Sequence, residues 1–151
     1  MPTRAAEFFS SIVRPTADEF LGDTGDRRRG FLAAIVLYHT ADYWWLENKR
    51  TYTDLPSLHV ALIQKCSEFR VFRDVGDASK HGELTHPTKI PRSLSSSEKV
   101  KVTEDVSTDA LGFFSNAPPA VKFFLDDGTS GPLEGAVRSV LSMWETVLQI
   151  K

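Results

Sequence analysis

Cysteine is nearly missing from this 151-residue chain: Cys66 stands alone. One thiol excludes an intramolecular disulfide and a thiolate zinc cluster, and its setting between Leu62 and Phe69 marks it as a small buried hydrophobe. Such usage fits a reducing, cytoplasmic compartment. Long apolar runs are missing too. The longest, FLAAIVLY at 31–38, falls far short of the ~20 residues that span a bilayer, and the opening MPTRAAEFF has no signal-peptide pattern. No membrane association is expected. A glycine-rich phosphate loop, a nucleophile elbow and a dinucleotide fingerprint are all absent, which sets aside the enzyme classes built on them and gives no reason to expect a cofactor. Neither sign of charge dominates. With 18 Lys and Arg against 20 Asp and Glu the formal charge is -2, so RNA would have to be held by a local basic patch rather than by the field of the whole protein.

Aromatic residues, by contrast, are plentiful. Ten Phe, three Trp and three Tyr in a chain that is 41% apolar require a packed interior, and this length supports one core that removes roughly 70% of the unfolded surface from water. Residues 1–151 are therefore read as a single domain. Ala5, Phe8, Phe9, Ile12 and Val13 follow helical spacing, with Pro15 interrupting or restarting that first helix. A second helix, from about Asp26 to about Asn48, is apolar nearly all round between Phe31 and Leu37 and is expected at the centre. A third begins near Thr53 or Asp54 with Pro56 in its first turn. It runs toward His81 with Leu58, Ala61, Leu62, Phe69 and Phe72 facing the core, and Gly76 weakens it by about 1 kcal/mol relative to alanine.

After Leu84 the pattern changes. THPTKIPRSLSSSE reads as a loop, KVKVTED alternates with period two, and ALGFFSN and AVKFFLDDG are short aromatic runs between turn residues. Helical spacing then returns in Leu133, Val137, Val140, Leu141, Trp144 and Leu148. The expected fold is α+β and mainly α: a bundle of about four helices, covering about 4–84 and 132–150. A small antiparallel insertion of two or three strands, about 99–127, precedes the C-terminal helix.

The chemistry concentrates in RDVGDASKHGEL, residues 73–84. Part of it reads as a helix end, since Lys80 and His81 suit the negative pole of the dipole and Gly82 suits the left-handed position beyond it. Arg70, Arg73, Asp74 and Asp77 lie outside that explanation. Projected on one continuous helix, His59, Cys66, Arg70, Asp77 and His81 fall within about 40° of a line, with Arg73 at its margin. Steps of four let Asp77 fix Arg73 on one side and orient His81 on the other, as a plain ion-pair ladder or as a phosphate-binding guanidinium beside a titratable histidine. Lys80 would add a second cation.

An arginine followed by a polar residue and, farther along a helix, by a histidine resembles the HEPN superfamily of prokaryotic ribonucleases and nucleotide-binding proteins. The residues carrying the resemblance are Arg73, Asp74 and His81. It implies metal-independent RNA cleavage in which Arg73 or Arg70 holds the scissile phosphate and His81 moves a proton, with two chains pairing to join their motifs.

YHTADYWW at 38–45 places His39 and Asp42 in the most apolar helix, where they must satisfy each other, find Arg70, or face a ligand cavity lined by Trp44 or Trp45. A metal would require His39, Asp42, His59, His81 or His86 to converge from separate elements, and no ligand spacing announces such a site, so no metal is expected. RRR at 27–29 reads as a solvated face offset by Glu19, Asp23 and Asp26, or as a phosphate contact.

The leading expectation is an intracellular protein that acts by binding a protein partner, with a second copy of itself as the first candidate. It predicts an exposed apolar patch and arginines consumed in ion pairs. The ribonuclease reading predicts Arg70, Arg73 and His81 in one accessible groove. A small-ligand or metal-binding bundle predicts a cavity between the second and third helices.

Overall fold

The computed structural model describes residues 1–85, 91–103, 106–108, 114–116 and 118–150. His86 and residues 110–113 of the ALGFFSN run lie outside them. The chain is mainly helical with a small antiparallel sheet, as the sequence pattern implies.

Thr3 opens helix α1 (Arg4–Phe8), its hydroxyl accepting from the Ala6 amide at 3.1 Å. Pro15 does not break the helical path. The chain passes through a π turn (Phe9–Val13) directly into α2 (Arg14–Leu21), with the Arg14 N–H donating to the Phe9 carbonyl. A proline lacks the helical donor and crowds the carbonyl four residues back, and one wider turn ahead of it absorbs both defects. Phe9, Val13, Ala17 and Phe20 consequently stay on one buried side.

Asp26 caps α3 (Arg27–Glu47) by accepting from the Arg29 amide at 3.1 Å. This helix is central, packing on α1, α2, the following three helices and the first strand. Its buried positions are mostly small, Gly30, Ala33, Ala34 and Ala41 around Leu37, which lets neighbours approach closely. A Cβ on Gly30 would meet Leu133 and Phe20.

The single third helix expected from about 54 to 81 is two helices, α4 (Leu55–Lys65) and α5 (Phe69–His81). Asp54 caps α4, accepting from the Ser57 amide at 2.8 Å. Cys66 then turns extended (φ -150°, ψ 105°), and the Glu68 carboxylate accepts from the Cys66 thiol and the Ser67 hydroxyl, both at 3.3 Å. Gly76 causes no break. It lies inside α5 because the Tyr38 ring occupies the space a Cβ would need. Gly82 ends α5 at φ 75°, a backbone conformation that side chains disfavour.

A short turn of 3-10 helix at Ser97–Lys99 leads into β1 (Val100–Thr103). β2 (Val106–Thr108) and β3 (Phe114–Asn116) pair with each other as a separate antiparallel ladder. β4 (Ala120–Phe124) lies between β1 and β5 (Ser130–Pro132), antiparallel to both, with Val102 opposite Val121 and Phe123 opposite Gly131. β5 was not foreseen; three residues, SGP, carry no alternation to read. It leads directly into α6 (Leu133–Leu148), whose Leu133, Val137, Val140, Leu141 and Trp144 are buried. The Trp144 indole donates to the Leu37 carbonyl of α3 at 2.9 Å. Arg27 fastens the sheet to α3 by donating to the carbonyls of Val100 (2.6 Å) and Ser97 (3.1 Å). No helix among the described residues is long and apolar enough to cross a membrane.

Candidate functional site

The charged segment at 73–84 meets a strap of chain, residues 91–95, that the sequence pattern leaves as loop. Asp74 is wholly buried. Its Oδ1 accepts from Arg73 Nε (2.9 Å) and Nη2 (2.7 Å) and, at 3.4 Å, from Arg92. Its Oδ2 accepts from the consecutive amides of Ser93 (2.8 Å) and Leu94 (3.2 Å). Arg73, only 4% exposed, also donates to the Pro91 carbonyl at 3.1 Å. A buried carboxylate must have its lone pairs filled and its charge matched, and arginine together with two backbone amides does both. The strap is held from its other sides by Leu84 donating to Ser95 (2.7 Å) and Asp126 donating to Ser93 (2.8 Å).

This arrangement corrects the expected ladder. Arg73 is bound to Asp74, while Asp77 accepts from Arg92 at 2.8 Å and from the Tyr38 hydroxyl at 3.2 Å. His81 and Lys80 project from the exposed last turn of α5. Spacing within one helix cannot foresee partners that arrive from 15 to 18 residues farther along the chain, as Arg92 and Pro91 do. Arg92 was therefore missed, and no local signal marks it. A cleft of about 450 Å³ is lined by Asp77, His81, Glu83, Leu84, Thr85 and Arg92. Arg70 and Arg73 are not part of it. His59 is buried whereas His81 is exposed, so the stripe from His59 to His81 is not one surface.

His59 is 7% exposed, its ring 5.4 Å from that of Tyr38 and 5.9 Å from that of Phe69. Burial holds its pKa below the ordinary 6.5, with Asp42 acting in the opposite direction. Burial, reinforced by Asp77 and Asp42, raises the Tyr38 phenol well above its usual range, which keeps it a hydrogen-bond donor to Asp77. Arg70, half-buried on α5, leaves its Nε buried without a hydrogen-bond acceptor among the described residues, and His59 Nε2 is in the same condition.

His39 Nδ1 and Asp42 Oδ2 meet at 2.9 Å with their side chains 48% and 42% exposed. They satisfy each other, but on the outer surface rather than in a cavity. The larger opening lies elsewhere, between α4 and α6, and measures about 940 Å³. Trp44, Tyr52, Leu58, Leu62, Met143 and Val147 supply its apolar lining, with Ser139, Ser142, Thr146, Lys65 and Glu68 among its polar groups. Cys66 stands in its wall, and burial pushes that thiol up to about 11. No cluster of three or more His, Cys, Asp or Glu side chains capable of holding a metal occurs among the described residues. In the RRR run, Arg29 pairs with Asp26 (3.5 Å) and Asp23 (3.7 Å), and Arg27 is committed to the sheet. Compared with known proteins, the chain matches no family model, no curated protein and no solved structure.

Proposed function

We propose that this protein acts by binding a protein partner, not by catalysis, and that the groove between α4 and α6 receives an apolar helical face of that partner. The groove itself carries the reading. Two helices form its walls, the geometry that accepts a third helix by its apolar stripe. Met143 gives the floor an adaptable side chain. The rim is hydroxyl and amide with one charge of each sign, Lys65 and Glu68, which suits an apolar occupant flanked by uncharged polar groups better than it suits an anion. Support also comes from the arginines: Arg73, which a ribonuclease would need free for phosphate, is engaged by Asp74 and the Pro91 carbonyl.

Two measurements test this. The apolar dye anilinonaphthalene sulfonate should bind the folded protein, with binding lost in Val147→Glu and kept in His39→Ala; indifference to Val147→Glu would sink the groove. In EDTA, purified protein should leave mixed-sequence single-stranded RNA intact. Cleavage that disappears in folded His81→Ala and Arg73→Ala variants would overturn the reading in favour of the ribonuclease that the HEPN resemblance implies.

A further inference from the structure

The outward side of α3 is unusual for a helix in water. From Gly30 to Ala41 the sequence contains no Asp, Glu, Lys or Arg, yet that side is open to solvent. Leu32, Tyr43 and Leu46 are 42%, 37% and 49% exposed, and Ile12, on the neighbouring π turn, is 45% exposed. The Phe8 ring stacks on Tyr43 with centroids 4.1 Å apart, joining the two helices into one surface. Apart from Met1 and Val102, these four are the large apolar side chains left exposed among the described residues. A surface helix ordinarily keeps charge on its solvent side.

The spacing has a symmetry. At 100° per residue, Arg28, Leu32, Ile35, His39, Tyr43 and Leu46 fall in a sector about 80° wide. Leu32 and Leu46 each lie seven residues from His39, and Ile35 and Tyr43 each lie four. Run antiparallel to itself and centred on His39, the stripe sets Leu32 on the partner's Leu46 and Ile35 on the partner's Tyr43. The antiparallel arrangement also opposes the two helix dipoles. The seven-residue repeat through 32, 39 and 46 is the interval at which two helices stay in register at a shallow crossing of about 20°.

We propose that the partner for this face is a second copy of the chain, bound through antiparallel α3 helices with a two-fold axis at His39. Ile12 and the Phe8–Tyr43 stack extend the apolar contact beyond α3 itself. The His39–Asp42 pair at the centre then specifies register, as a single polar layer does in paired helices. Trp44, the α3 residue in the α4–α6 groove, lies about 140° around the helix from His39, so this interface and the groove are separate and the two proposals stand or fall independently.

Sedimentation equilibrium on the full chain tests the pairing. Wild type should be a dimer; Leu32→Lys and Leu46→Glu should each weaken dimerisation at least ten-fold; and the L32K/L46E double variant should restore it, because position 32 meets position 46 of the partner. A monomeric wild type, single variants that dimerise as tightly as the wild type, or a double variant no tighter than the singles would each overturn the proposal. Should a charged variant fail to fold by circular dichroism, cysteine cross-linking in a Cys66→Ser background decides. His39→Cys should oxidise to a covalent dimer, while Leu32→Cys, about 21 Å from its own copy in this arrangement, should not; cross-linking through both positions would show a parallel contact, and failure of His39→Cys to cross-link an unrelated one, either of which overturns the proposal.

Discussion

Asp74 and Gly76 stand two residues apart and are constrained for opposite reasons, one by what it must bind and the other by what it must not carry. Removing the Asp74 carboxylate leaves Arg73 buried beside unfilled amides of Ser93 and Leu94. Breaking a buried pair from one side costs about 3–5 kcal/mol, so Asp74→Ala should lose roughly that in urea unfolding, and Asp74→Asn, which keeps an acceptor, less. At Gly76 an added methyl gains about 1 kcal/mol of helix propensity but collides with Tyr38, and overpacking of this kind costs about 1–3 kcal/mol. Gly76→Ala should therefore destabilise the wild type and become stabilising once Tyr38→Ala has cleared the space. An additive double-mutant cycle would contradict that account. At this scale the sequence marked Arg73, Asp77 and His81 as a group, while the structure buries Arg73 against Asp74 and leaves Asp77 and His81 on one cleft. What spacing conveys is which residues share a helix face; it carries nothing about a strap that arrives nearly twenty residues later.

Helices α3 and α6 were legible because each keeps its apolar stripe to a well-marked end. The α4–α5 junction was not. Its apolar positions, Leu58, Leu62, Phe69 and Phe72, keep helical spacing across the kink, and CSE offers neither glycine nor proline to signal it. The break is made by side-chain chemistry, with Glu68 gathering the Cys66 thiol and the Ser67 hydroxyl. That junction has a measurable signature. With its pKa pushed up to about 11, Cys66 should be alkylated by iodoacetamide near neutral pH about a hundred-fold more slowly than a free thiol, since only the thiolate reacts. Glu68→Gln, which removes the negative neighbour, should speed it; alkylation at the rate of an unfolded control would show the thiol to be unperturbed. Pro15, read as interrupting or restarting the first helix, restarts one: it stands in the first turn of α2, which a π turn joins to α1.

For the molecule as a whole, composition and periodicity were enough to give a mainly helical α+β domain, since class depends on the order of elements and not on their partners. The groove and the exposed α3 stripe depend on which faces remain uncovered after packing, which a single sequence does not display. Stability of the whole fold should also depend on pH through His59. Because burial favours its neutral form, the unfolded chain binds the proton more readily than the native one. Stability should be undiminished above pH 6.5 and decline as pH falls through that value toward the lower native pKa. Denaturant titrations between pH 7.5 and 5, which lie above the ordinary carboxylate range, should show this decline in the wild type and a smaller one in His59→Phe. An identical slope in both would remove His59 as its source.

The hold of Asp74 on two successive strap amides has a kinetic corollary. Neither the Ser93 nor the Leu94 N–H can exchange with solvent deuterium while the carboxylate keeps them, and the carboxylate rides on α5. Their protection should match that of the α5 interior, so two amides in a segment without helix or strand would report the opening of a helix nearly twenty residues earlier in the chain.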